Sequence, residues 1–96
     1  MPTVRQLVER MERDFVPRLG VVSQSFVRGD LHDGEDDVAM ALDDMLQFAL
    51  VDDVPMPADM LDEAEEIVRR GGQDPDLEER TLGWIAQHRQ RQAASA

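Results

Sequence analysis

The stretch from Glu35 to Val51 constrains this chain most. Within it Val38, Ala41, Leu42, Met45, Phe48 and Ala49 recur so that, at about 100° per residue, they share one broad arc of a helix. A segment patterned this way must bury its apolar side against other elements. The chain contains no strand-length alternation of apolar and polar residues, so those elements are expected to be helices too.

Their boundaries are written in local signals. Thr3 caps a first helix whose Val4, Leu7, Val8, Met11 and Phe15 form one buried stripe, and Pro17 ends or bends it. A second helix over 19–33 offers Leu19, Val22, Phe26, Val27 and Leu31 to the core, and Gly34 stops it. After the third helix, Val54-Pro55-Met56-Pro57 forces an extended turn, with Pro57 suited to the first helical position. The fourth helix runs to Arg70, buries Met60, Leu61, Ala64, Ile67 and Val68, and pairs Glu65 with Arg69 and Glu66 with Arg70 before Gly71-Gly72. Asp74-Pro75 opens a fifth, with Leu77, Thr81, Ile85 and Trp84 turned inward.

A chain of 96 residues supports one modest domain, and 42% hydrophobic content is enough for a core. With only Phe15, Phe26, Phe48 and Trp84 as aromatics, that core is built from Leu, Val, Met and Ala, which favours helices over sheets. The expectation is an all-α fold, a compact bundle of four to five short antiparallel helices. It is expected to occupy 1–90 as a single domain, with a frayed tail at 91–96.

The chain has no cysteine, which excludes disulfides and thiolate chemistry and points to a reducing, cytoplasmic setting. The first residues do not read as a leader peptide, and no segment approaches the roughly 18 apolar residues of a membrane span, so no membrane association is expected. Twenty-one acids against ten bases give a formal charge of −11, and every base is Arg. Nucleic acid is therefore excluded as a partner. The acids form a block: between Arg28 and Arg69 there are fourteen Asp and Glu and no Lys or Arg.

Catalytic readings fail on their own residues. His32 and His88 are the only near-neutral bases and read as surface residues, His88 as a cation near a helix end. Ser23, Ser25 and Ser95 form no defensible constellation with a His and an acid. Asp33, Glu35, Asp37 and Asp44 fit positions one, three, five and twelve of a calcium loop, but Val38 stands where Gly is required and the stretch continues as a strong helix. Gly29-Asp30-Leu31 sits where a carrier protein would need a serine to attach its arm. No enzymatic activity, cofactor or metal is expected.

The acidic surface remains. Opposite the core arc of the third helix, Asp36, Met40, Asp43, Asp44, Gln47 and Val51 come together, so that apolar residues sit amid carboxylates. A face that only solubilises would not need them. Carboxylates that steer a basic protein, with apolar anchors desolvated on docking, are the two parts of a fast and tight interface. The expected partner-binding residues are Asp36, Met40, Asp43, Asp44, Gln47, Asp52 and Asp53, and Asp59, Asp62, Glu63 and Glu66 extend the acidic surface. Exposed Met40, Leu50 and Val51 equally suit a homodimer.

From Leu31 to Ile67 the chain resembles the MafI-like family of bacterial immunity proteins, small helical inhibitors encoded beside polymorphic toxins. The resemblance rests on Asp33-Gly34-Glu35 ahead of Ala39-Met40-Ala41-Leu42, then an acidic helix, then Val54-Pro55-Met56-Pro57 opening the next. It implies a protein that neutralises a cognate toxin without chemistry, such as a nuclease whose basic surface the carboxylates occupy as phosphates would. The alternative is an adaptor or regulator that uses the same face on another basic protein.

Overall fold

The computed structural model describes residues 3–32, 38–70 and 74–95. Among them are five α-helices and no strand: α1 (Val4–Asp14), α2 (Val21–His32), α3 (Val38–Val51), α4 (Ala58–Arg69) and α5 (Pro75–Ser95), with a 3-10 turn at Val16–Arg18 between the first two. The fold is all-α, a small helical bundle.

Local signals set most boundaries. Thr3 Oγ1 accepts from the Gln6 backbone N–H while the Gln6 side chain accepts from that of Thr3, a reciprocal capping box that satisfies two donors the helix start leaves open. Pro17 lies in the 3-10 turn, where its missing N–H costs nothing, and α1 has closed by Asp14. Pro57 is the N-cap of α4, one position earlier than expected. Asp74 Oδ1 accepts from the Asp76 N–H at 2.8 Å, and Pro75 is the first residue of α5. The stops expected at Gly34 and Gly71-Gly72 lie outside the described residues.

Helix α3 packs against α1, α2 and α5, and α4 packs against α1 and α5. The core between them includes Leu7, Met11, Phe15, Leu42, Met45, Leu46, Met56, Leu61 and Ile85, each at most 1% exposed. Each such side chain taken from water favours folding by about 1.5–3 kcal/mol before entropy is counted. Because α4 carries the chain back from the end of α3, α5 starts where α3 starts and runs beside it in the same direction. The bonds Asp43 to Arg80, Leu46 to His88 and Asp53 to Arg91 ascend together. The pairs α2 with α3 and α4 with α5 are antiparallel: Gly20 meets Asp52 and Phe26 meets Phe48, while Met56 meets Gln92 and Asp62 meets Arg89.

Several expectations change here. Helix α5 continues through the segment expected to fray as far as Ser95, and its last turns are tied to the α3–α4 turn by Arg91 to Asp53 and Gln92 to the Met56 carbonyl. Leu50 is buried, so it offers nothing to a dimer. Helix α2 is rotated from the expected stripe: Ser23 and Val27, one turn apart, face in, while Val22 and Phe26 are 69% and 59% exposed. Its contacts run mainly to α3, and a narrow contact buries a narrow arc.

Candidate interaction face and the acidic helix

Helix α3 has neighbours on more than one side, and this decides which of its acids face solvent. On the side of α5, Asp43 is sealed from water. Its Oδ2 accepts from Arg80 Nε at 3.1 Å and Nη2 at 2.8 Å. The Thr81 hydroxyl lies 2.9 Å from Asp43 Oδ1 and 2.8 Å from the Leu77 carbonyl. It has one proton to give, and the charged carboxylate is the stronger acceptor. Asp43, expected on the docking face, is therefore a structural staple. The carboxylate beside it in turn stabilises the Arg80 guanidinium and raises its pKa further.

The same pattern recurs across the acidic block. Asp53 Oδ1 is 2.9 Å from Arg91, Asp62 and Glu65 hold Arg89 at 2.7 and 2.6 Å, and Glu63 holds Arg10 at 3.0 Å. Bonds from Arg89 and then Arg69 keep the Glu65 carboxyl below its ordinary range. The block is free of bases in sequence, but α1 and α5 bring arginines to it in space.

The remaining site residues are spread along the outward side of α3. Met40 is at its edge, 37% exposed, with Sδ 3.3 Å from an Arg80 nitrogen. Asp44 and Gln47 are half-buried, and Asp44 lies near enough to Arg80 to favour its charge. Asp52 accepts from the Gly20 N–H at 2.8 Å, just ahead of α2, which joins the C-terminal end of α3 to the start of α2. Asp53 is exposed in the left-handed region at φ 57°, where Asp is among the few side chains tolerated. Asp36 lies outside the described residues.

Sequence reasoning placed Val51 on the outward side of the third helix but missed the part of this apolar surface that α2 contributes. Val21 and Val22 are 82% and 69% exposed at the start of α2, and Val51 is 70% exposed at the end of α3. Phe26 stacks on half-buried Phe48, ring centroids 5.7 Å apart, so α2 and α3 share an aromatic step open to solvent. The start of α2 and the end of α3 are joined by the Gly20–Asp52 bond, and helical spacing puts Val22 on the face of Phe26 and Val51 on that of Phe48, so this face is bordered by Asp52 and by Asp44 one turn back from Phe48. Val22 and Phe26 were counted as core because the residues that do face in, Ser23 and Val27, give a weaker apolar pattern.

His88 also departs from expectation. It is 3% exposed, with Nε2 2.8 Å from the Leu46 carbonyl, because α5 lies along α3 at this level. Burial lowers its pKa from 6.5, against the opposing pull of that hydrogen bond. Among the described residues no three His, Cys, Asp or Glu side chains are grouped to hold a metal ion, and no helix is long and apolar enough to cross a membrane. Compared with known proteins, the chain matches no family model, no curated protein and no solved structure.

Proposed function

We propose that this protein is a non-catalytic binding domain that docks a basic protein partner on the face where α2 and α3 meet. The observation that carries the reading is the exposure of Val22, Phe26 and Val51 together at a junction bordered by Asp44 and Asp52. Large apolar side chains left in water gain about 1.5–3 kcal/mol each when a partner covers them, which suits them as anchors. The formal charge of −11 attracts a basic surface from a distance and raises the association rate at low salt. Binding of this kind needs no chemistry from the inhibitor, only coverage.

The resemblance of Leu31 to Ile67 to MafI-like immunity proteins makes a cognate bacterial toxin the partner proposed first. A nuclease fits the charge, because its substrate-binding surface is basic and carboxylates can occupy phosphate positions. The test pairs capture with protection. The native chain and its Val51→Asp and Phe26→Ser variants are used to retain proteins from the source cells. A single basic partner held by the native chain and lost by both variants supports the face, and rescue of cells from that partner's toxicity supports immunity. Undiminished retention by both variants refutes the face, and a partner without toxicity refutes the immunity reading.

A further inference from the structure

A second feature lies on the other side of Asp53. Between the α3–α4 turn and the last turns of α5 is an open cleft of about 520 Å³, within the size range of small-molecule sites. Val54, Pro55 and Met56 give it an apolar wall, and His88 and Arg91 supply polar groups from α5.

The chemistry of those two groups is defined by their protein contacts. The Leu46 carbonyl can only accept, so His88 Nε2 carries the ring proton, and Nδ1 is left as an acceptor with no partner among the described residues. Burial favours the neutral ring that this arrangement requires. Arg91 uses Nη1 on Asp53, and its Nε and Nη2 donors have no partner among the described residues. The residues are three apart on α5, a spacing that places side chains about 5–6 Å apart on one face of a helix. Beside Asp53 and Gln92, which also line it, the cleft therefore offers the His88 acceptor and the charged Arg91 donor from one face of α5, above an apolar wall.

We infer that this cleft binds a small planar cyclic amide, whose N–H donates to His88 Nδ1 and whose adjacent C=O accepts from Arg91 while the ring lies on Val54, Pro55 and Met56. A cyclic amide holds its N–H and C=O on the same side, as this pair demands, whereas a trans peptide points them in opposite directions. A neutral ligand is also the one the charges permit, because an anion meets Asp53 and a cation meets Arg91. The site is separate from the α2–α3 face and its test is independent of the partner.

The probe is carbostyril, a flat bicyclic lactam, titrated into the full chain while the His88 ring nitrogens are followed by NMR, with N-methylcarbostyril as the control lacking the donor. The expected result is a saturable shift of Nδ1 with a Kd of about 0.1–1 mM, as a ligand of this size allows. N-methylcarbostyril should bind at least tenfold more weakly. Arg91→Met, a change at a half-exposed side chain, should weaken carbostyril about tenfold with the fold verified by thermal unfolding. Absence of a saturable His88 response overturns the inference. Equal binding of the N-methyl compound also overturns it, since that reveals only an apolar cleft.

Discussion

The carboxylate of Asp43, sealed from solvent, is held by two N–H groups of Arg80, which lies 37 residues further along the chain and is itself half exposed. The two partners should therefore respond differently to mutation. Removing the arginine leaves a buried charge that, among the described residues, has the Thr81 hydroxyl alone to answer it, whereas removing the carboxylate lets the arginine turn to water. Arg80→Met is expected to lower stability by about 3 kcal/mol. Asp43→Asn, which keeps the shape and a bond to Thr81, should cost about 1–2 kcal/mol. Chemical denaturation of the two variants checks the order, and equal losses would show that the pair is not asymmetric.

His88 makes stability depend on pH in a defined direction. Burial lowers its folded pKa below 6.5, so the unfolded chain takes up a proton more readily than the folded one. Its contribution is complete above the unfolded value, declines as pH falls through about 6.5, and levels off below the lowered folded value. Thermal unfolding midpoints measured between about pH 7.5 and 5.5 should fall on acidification, and His88→Gln should flatten that slope. An identical slope in the variant would assign the effect to other groups.

Asp52 joins two elements through one contact, the bond from the Gly20 N–H. A carboxylate at a helix start also meets the positive end of its dipole. Asp52→Ala is expected to cost about 1 kcal/mol, the usual loss for removing such a cap. Asp52→Asn should recover most of it. Urea denaturation distinguishes them, and a neutral alanine variant would remove Asp52 from the α2–α3 junction.

What could be read from the sequence was what depends on neighbours along the chain. The Thr3 cap, Pro17, the Pro55–Pro57 turn and Asp74-Pro75 act within one helical turn, so their roles are visible in the order of residues. The ion pairs Glu65–Arg69 and Glu66–Arg70 are equally local and form as expected. Asp43 was not legible, because a helical wheel assigns one buried side, whereas α3 has α5 as a second wall. His88 was hidden for the same reason from the other helix. Val22 and Phe26 look like core by type, yet α2 is a flanking helix, and which narrow arc it buries depends on α3 and not on its own composition.

The α2–α3 face can be separated from the fold that carries it. Val51 is 70% exposed, so Val51→Asp should change the unfolding free energy by no more than about 0.5 kcal/mol. If a basic partner desolvates this side chain, the same change places a buried unpaired charge in the interface and should weaken binding at least a hundredfold, mostly through faster dissociation. Changing Asp44 to Asn acts on a different step: it leaves the apolar anchors in place and should slow association at low salt while dissociation changes little. The two effects can be read from association and dissociation rates at about 50 and 300 mM salt, a range over which exposed charges become strongly screened. A Val51→Asp variant that binds as the native chain does would place the partner elsewhere on the protein. A weaker salt dependence of association in Asp44→Asn, with dissociation unchanged, would instead show that charge steers the encounter while the apolar junction holds the complex.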